Sequence, residues 1–139
     1  ELAAKMLDAG AGAVPILVAG LPHALWASWA VVVAATHTGP DLLHAAGEVP
    51  DVAGFETPWM PLEQVRRLNR APWMPASWQA HVALELVAAP LSQRNTAVLV
   101  GRTAGPAFLD VEVAQLERLA RIAVRAEVLG AGNGVRRAG

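Results

Sequence analysis

The chain has 139 residues, a formal net charge of −1 and 54% hydrophobic residues, with 12 acidic residues against 11 basic ones. This length corresponds to one domain that buries roughly two thirds of its unfolded surface, and the low charge together with many apolar runs excludes an intrinsically disordered chain. Cysteine is absent, which excludes a disulfide scaffold, a thiolate metal site and a cysteine nucleophile, and the nearly balanced charge argues against binding along a nucleic-acid backbone.

The first predicted element is a helix over residues 1–10, built from strong helix formers, with a kinked continuation to residue 19. Gly20 and Pro22 are expected to end it. Residues 9–40 carry no Asp, Glu, Lys or Arg, but glycine and proline interrupt this run. Because a membrane-spanning helix needs about 20 consecutive apolar residues, we expect no membrane span and a cytoplasmic location.

A β-hairpin is predicted next. Residues 29–36 contain three consecutive valines, which favour a buried strand, and residues 38–41 combine Gly and Pro in a turn. Residues 42–47 then form the returning strand of the hairpin.

The middle of the chain, residues 48–77, is rich in proline and carries the tetrapeptide Pro-Trp-Met-Pro twice. Two copies are too few for a stacked repeat protein. Residues 61–70, between the copies, are predicted to form a short helix, because proline suits the first helical position. Its arginines, Arg66, Arg67 and Arg70, would form a solvated face, and contact with an anion at a pocket mouth is the alternative.

The last third of the chain predicts a second hairpin, from a strand over residues 78–89 and its partner over residues 96–102. Asp110 is suited to cap a terminal helix over residues 111–129. Residues 130–139 are predicted to be a flexible tail or linker, because closely spaced glycines weaken a helix.

The predicted order is therefore helix, hairpin, irregular segment with a short helix, hairpin, helix. This order indicates the α+β class, with a central antiparallel sheet. The N- and C-terminal helices would lie on one face of the sheet, and the loop and short-helix segment would lie on the other.

Several motifs of the last third occur in the order found in one known family. They are a strand ending in an apolar-Pro-apolar step, a polar turn, a second strand closing on glycine, a phenylalanine and an acidic helix start. In this chain they are Val87 to Leu91, Ser92 to Asn95, Ala97 to Arg102, Phe108, and Asp110 with Glu112. In this arrangement the chain resembles a GAF domain, a bacterial sensory and regulatory module with a PAS-like fold. The resemblance covers residues 1–129.

The resemblance implies a regulatory domain of a larger bacterial signalling or transcription protein, with an adjacent effector domain. A chain that begins at Glu1 rather than Met agrees with that expectation. In GAF domains a small-molecule pocket lies between the sheet and the segment that joins the two hairpins. The residues of this chain expected to line it are Trp59, Met60, Trp73, Met74, Trp78, His81 and Glu85. The alternative is a structural dimerisation or scaffold domain, in which the tryptophans fill this space themselves.

Some branches of the family are disfavoured by what the sequence lacks. Bilin-attached and cysteine-dependent redox relatives need a cysteine, and relatives that bind cyclic nucleotides carry an Asn-Lys-x-Phe-Asp-Glu signature; neither is found here. Haem-binding relatives use a histidine near the strand that is predicted here from Trp78, and only His81 could match it, which makes a haem or gas sensor a remote alternative. The serines and histidines show no catalytic or metal-ligand spacing, so we predict no enzyme activity, no metal and no cofactor.

The terminal helices carry the second functional signal. GAF modules often pair through these helices. The helix over residues 111–129 has a main apolar stripe and a second one beside it, which are Val113, Leu116, Ala120 and Ala123, and Leu119, Ile122, Val128 and Leu129. One stripe can face the sheet and the other a partner helix; the alternative is a single wide stripe that embeds the helix more deeply. We therefore expect a homodimer formed through helices 1–19 and 111–129, with no direct nucleic-acid contact.

Overall fold

The computed structural model describes residues 1–69, 71–79, 84–91 and 95–138. In chain order its elements are α1 Leu2–Ala9, α2 Ala13–Ala24, β1 Trp29–Thr36, β2 Gly39–Gly47, β3 Arg66–Leu68, α3 Ala76–Gln79, β4 Glu85–Pro90, β5 Thr96–Arg102 and α4 Asp110–Ala138, with a 3₁₀ turn over Gly10–Gly12 between α1 and α2.

The strands form one antiparallel sheet in the order β2-β1-β5-β4-β3. β1 pairs with β2 and β4 pairs with β5, so both predicted hairpins are confirmed. The hairpins join through β1 and β5, whose register aligns Trp29 with Gly101 and Ala34 with Thr96. β1 and β5 are therefore central strands, which explains why their side chains are buried on both faces of the sheet.

Each face of the sheet packs against a different layer. On one face, Val32 and Val98 contact the buried residues of α1, α2 and α4. On the other face, Val31 and Leu99 contact the segment between the hairpins. The predicted α+β class is confirmed, with the terminal helices on one face and the joining segment on the other.

The N-terminal helices kink where predicted but end later than predicted. The chain turns at Gly10, where φ is 58°, and α2 then continues through Gly20 and Pro22 to Ala24. Gly20 does not stop the helix; it lies against Leu2 of α1, where an added Cβ would come within 2.7 Å of a Leu2 methyl group. The expected end at Gly20 is wrong because this glycine serves helix packing rather than a turn.

The continuous helical segment Leu2–Ala24 is the one stretch, within the part of the chain that the structure describes, that is long and apolar enough to cross a membrane. The expectation that glycine and proline interrupt it is therefore not met. Its residues Met6, Leu17 and Leu21 are nevertheless fully buried in the core beneath the sheet. Of the most apolar window of this segment, 28% is buried within the domain.

The predicted helix over residues 61–70 is wrong. Among the described residues of this stretch, Arg66–Leu68 form the edge strand β3, which pairs with β4 through Arg66 and Ala88 and through Leu68 and Leu86. Burial of Leu68 on the sheet and the backbone hydrogen bonds of β4 outweigh the weak helix preference of three residues.

The first strand of the second hairpin, predicted from residue 78, begins later in the structure. Trp78 belongs to the short helix α3, whereas β4 starts at Glu85. Trp78 is fully buried against the ring of Trp29, and this tertiary contact overrides the strand preference of the isolated sequence. Residues 80–83 of the predicted strand lie outside the described residues.

The last helix begins at Asp110, one residue before the predicted start, and the side chain that accepts the capping hydrogen bond from the Leu109 N–H is Glu112 rather than Asp110. It continues past residue 129 to Ala138, so residues 130–138 are helical where a flexible tail or linker was expected, and Gly139 lies outside the described residues. Gly130 lies against the 3₁₀ turn, and a Cβ added there would come within 2.4 Å of the Ala11 nitrogen and 2.8 Å of the Gly10 carbonyl carbon. This glycine allows two helical segments to approach closely, and an established helix lengthens at little cost per residue.

We predict that Gly130→Ala lowers the free energy of unfolding by about 1–3 kcal/mol, because the new methyl group would meet backbone atoms that cannot rotate away. Gly12→Ala, in the 3₁₀ turn that Gly130 contacts, is the matched control, because the nearest atom to its new Cβ would be the Ala9 Cβ at 4.0 Å. The control should be neutral or stabilising by up to about 1 kcal/mol. Urea unfolding measures both, and a neutral Gly130→Ala would contradict the close approach.

Candidate functional site

Five aromatic rings form a layer on the face of the sheet opposite the long helices. This aromatic layer consists of Trp29, Phe55, Trp59, Trp73 and Trp78. Neighbouring ring centroids lie 5.2–6.4 Å apart, with tilted or edge-on geometry. Such distances and angles are those of stabilising aromatic pairs. The rings therefore occupy the space between the sheet and the joining segment with their own atoms.

The structure brings most of the predicted pocket residues together here. Trp59, Trp78 and Met74 are buried in the layer, and Met60 and Trp73 are half-buried against it. His81 lies outside the described residues.

Glu85 does not reach this layer. It precedes Leu86, which packs among the aromatic rings, and it is paired in register with Arg102 across the hairpin. Because successive residues of a strand face opposite sides, Glu85 shares the helix side of the sheet with Val87.

Trp29 and Phe55 also belong to the aromatic layer, although the sequence did not single them out. The alternation of Trp29 with Val31 and Val33 on β1 indicates a shared face. It does not indicate which layer that face meets. Phe55 lies in a loop without any periodic signal.

The indole groups of the layer differ in their hydrogen bonds. Trp78 donates from Nε1 to the carbonyl oxygen of Asp51 at 2.9 Å, and the Ser77 hydroxyl donates to the same oxygen at 3.0 Å. Within the part of the chain that the structure describes, the buried Nε1 groups of Trp29 and Trp59 have no partner. A buried donor without an acceptor costs about 1–3 kcal/mol, so these two N–H groups lower the stability of an otherwise well-packed layer.

We predict that Trp59→Phe costs less stability than Trp78→Phe, by about 1 kcal/mol. Both changes remove a similar volume, but only Trp78 loses a hydrogen bond, whereas Trp59 loses an unsatisfied donor. Chemical denaturation of the two variants measures the difference. Equal losses would mean that the Trp59 N–H has an acceptor in the purified protein.

A second group of contacts surrounds Arg102, the last residue of β5, which is only 5% exposed. Its guanidinium donates to the carbonyl oxygens of Leu25 at 2.6 Å, Trp26 at 3.2 Å and Pro106 at 2.9 Å. Trp26 has a φ of 53°, a backbone conformation that bulky residues rarely adopt, and its side chain is 85% exposed. Arg102 thus holds the end of α2 and the loop after β5 together.

The charge of Arg102 is balanced at the start of α4. Its Nη2 donates to Glu112 Oε2 at 2.8 Å, and its guanidinium lies 4.1 Å from the centroid of the Phe108 ring. Glu112 Oε1 also accepts from the backbone N–H of Leu109, an arrangement that caps the helix. The hydrogen bond from Arg102 holds the pKa of Glu112 below its ordinary value; burial opposes this shift, and the Leu109 N–H adds to it.

Arg67 reaches the same helix start from the edge of the sheet. It lies on β3 and donates to the Phe108 carbonyl oxygen at 2.6 Å and to Asp110 Oδ1 at 2.8 Å. The expected solvated helix face is therefore wrong for Arg67, because this stretch is a strand that runs beside the base of α4. Arg66 is exposed on the same strand, and Arg70 lies outside the described residues.

Two strands therefore fix the first turn of α4, β5 through Arg102 and β3 through Arg67. Carboxylates at a helix start also interact favourably with the helix dipole. Glu112 makes the more buried of the two connections, since its side chain is 18% exposed. Asp110 makes the other one, and its side chain is fully exposed.

We predict that Glu112→Gln lowers the free energy of unfolding by about 1.5–3 kcal/mol at neutral pH, since it removes a charged hydrogen bond from a buried guanidinium. Because the pKa of Glu112 is lowered by folding, this stabilisation is present above about pH 4.3, the ordinary pKa, and is lost as the pH falls towards the lowered pKa. The difference between wild type and variant should therefore shrink in acid.

Asp110→Asn is the matched control, because it removes an exposed ion pair worth at most about 1 kcal/mol. Denaturation at several pH values compares the variants. A Glu112→Gln loss that is no larger than that of the control, or that is constant with pH, would contradict the role of the Arg102 contact.

The architecture just described, an antiparallel five-stranded sheet with terminal helices on one face and the joining segment on the other, matches several solved structures. The GAF domain/HD domain protein from Geobacter sulfurreducens aligns with a TM-score of 0.63 and 19% identity over 94% of this chain and 99% of that one. The GAF domain of a putative sensor histidine kinase from Pseudomonas syringae pv. tomato aligns with a TM-score of 0.64 and 14% identity, over 97% of this chain and 85% of that one. Residues 122 to 287 of a methyl-accepting chemotaxis protein align with a TM-score of 0.65 and 14% identity, over 94% of this chain and 96% of that one.

No protein-family model matches the chain, and no curated protein sequence matches it either. At these identities the structural likeness establishes the fold. The chain has a GAF-like fold, and the resemblance of its last third to GAF domains is confirmed at that level.

Proposed function

We propose that this domain is a sensory and regulatory module of a larger bacterial signalling or transcription-regulatory protein, located in the cytoplasm. It acts as a homodimer and passes a rearrangement to an adjacent effector domain through its terminal helices. The observation that carries this proposal is the attachment of the first turn of α4 to two strands by Arg67 and Arg102.

A helix attached in this way is suited to relay motion. α4 has 29 residues, and at 1.5 Å per residue it is about 44 Å long. Its first part is held by the sheet, and its later part crosses the 3₁₀ turn at Gly130. A change at the sheet would therefore shift or rotate the distal part of the helix as a unit.

The surface of the terminal helices supports pairing with a second copy. Leu119, from the second predicted stripe of α4, is buried in the core, but Val128 and Leu129 are 61% and 53% exposed. Leu7 of α1 is exposed as well, at 54%. Large apolar side chains left in water on both terminal helices favour burial against a partner.

The similar structures support the same reading by analogy. They come from a GAF domain/HD domain protein, a sensor histidine kinase and a methyl-accepting chemotaxis protein, all described with more than one domain or as part of a longer chain. A regulatory role for this chain rests on that analogy together with the attachment of α4.

We expect the domain to be a dimer that Val128→Glu combined with Leu129→Glu weakens at least about 100-fold in dissociation constant, because two charges replace buried apolar side chains. Light scattering across a dilution series measures the change. Leu42→Glu on the edge strand β2, where Leu42 is 36% exposed, is the control and should leave the dimer intact. A wild-type monomer at every concentration, or equal weakening by the control, would contradict pairing through the helices.

Ligand binding in the aromatic layer is the second candidate function. The packed rings favour a self-filled layer, which is the structural role that the sequence offered as the alternative. The unpartnered indole N–H groups of Trp29 and Trp59 favour a ligand that supplies hydrogen-bond acceptors. Equal stability losses in Trp59→Phe and Trp78→Phe, in place of the smaller loss expected for Trp59→Phe in a self-filled layer, would support such an acceptor.

A further inference from the structure

The hairpin of β1 and β2 contains an irregularity that alters which side chains share a face. Val32 pairs with His44, but the next residue, Val33, pairs with Leu42, so Leu43 is an extra residue on β2. In a regular strand, consecutive residues point to opposite faces. The bulge instead lets both Leu43 and His44 line one cavity on the helix side of the sheet.

This helix-side cavity has a volume of about 140 Å³ and lies between the sheet, α2 and α4. Its apolar walls are Val14, Val32, Leu43 and Leu91, and its polar groups are His44, Thr96 and Glu127. The helix-side cavity is open to solvent on the side of Leu43 and His44, both of which are exposed. Its volume corresponds to about six non-hydrogen atoms, since an enclosed cavity of about 150 Å³ holds one benzene molecule. It lies across the sheet from the aromatic layer and is a separate site.

Two of the polar side chains that line the helix-side cavity, the exposed His44 and the half-buried Glu127, make no polar contact with the described part of the protein. Within the described ranges of the chain, no hydrogen bond or ion pair reaches the side chain of His44 or of Glu127. Glu127 is half-buried beside an apolar wall, where a carboxylate is best compensated by a cationic donor. An imidazole nitrogen nearby can accept a further N–H from the same donor.

We propose that the helix-side cavity binds a small organic cation, a primary ammonium group attached to a short branched aliphatic tail. The ammonium group donates to Glu127 and His44, and the tail packs on Val14 and Val32. The ligand would touch α2, the bulged strand and α4 at once. This site goes beyond the proposed function and does not depend on dimerisation.

Isobutylammonium is the test probe, with isobutanol as its neutral isostere and isobutyrate as its anionic one. Methyl NMR spectra of the whole domain report on Val14, Val32 and Leu43. We expect saturable shifts of these methyl groups with isobutylammonium, weaker shifts with isobutanol and none with isobutyrate. The absence of saturation, equal responses to all three probes, or shifts confined to residues of the aromatic layer would overturn the proposal.

Glu127→Gln keeps the shape of the side chain and removes its charge, so it should weaken isobutylammonium binding about tenfold or more while leaving isobutanol binding unchanged. Glu117→Gln is the matched control on the same helix, because Glu117 pairs with Arg121 outside the cavity. It should bind as wild type does. Unchanged isobutylammonium binding in Glu127→Gln, or equal weakening in both variants, would also overturn the proposal.

Discussion

A guanidinium group buried at the end of a central strand is the constraint around which this domain is organised. Removing a charge from water costs several kcal/mol unless hydrogen bonds and an opposite charge replace the solvent. Arg102 meets this requirement with three backbone carbonyls and the Glu112 carboxylate. These acceptors come from the end of α2, the loop after β5 and the start of α4, so these three segments must meet at one point. The carbonyl of Trp26 takes part, which accounts for holding that residue in an unusual backbone conformation.

The two faces of the sheet are filled by different kinds of side chain. The helix side uses small and branched aliphatic residues such as Ala30, Val32 and Val98, which allow three helical segments to lie close to the strands. On the opposite side, the described residues form no long helix that could cover the sheet, and large aromatic rings span the space to the irregular segment. Aromatic rings suit that task because each covers 150–250 Å² with few rotatable bonds, as a rough guide.

Local patterns in the sequence were sufficient for the two hairpins, the kink at Gly10 and, to within one residue, the start of α4, since alternation, turn residues and acidic residues at a helix start act between near neighbours. They failed for Arg66–Leu68 and Trp78, where pairing with β4 and contact with Trp29 decide the structure. They also failed at Gly130, because a glycine that permits close helix packing is indistinguishable, in sequence, from one that ends a helix.

The same limit applies to the candidate site. Clustering of Trp59, Trp73 and Trp78 was implied by the resemblance to GAF domains, but whether their rings leave room for a ligand depends on angles that no sequence pattern encodes. The sequence placed Arg102 at the end of a strand but did not indicate that it would be buried, because its hydrogen-bond partners lie up to 77 residues away in the chain. Arg67 and Asp110 are likewise 43 residues apart and meet only in the folded chain.

The bulge at Leu43 affects whether the domain can aggregate with other copies of itself through the edge strand β2. β2 is an edge strand of nine residues with two exposed leucines, which is the kind of open edge on which strands of other molecules can add. The extra residue breaks the even spacing of the free N–H and C=O groups along that edge and increases its twist. A sheet from a neighbouring molecule cannot continue the ladder past that point, so the bulge protects the domain against aggregation through its most exposed strand.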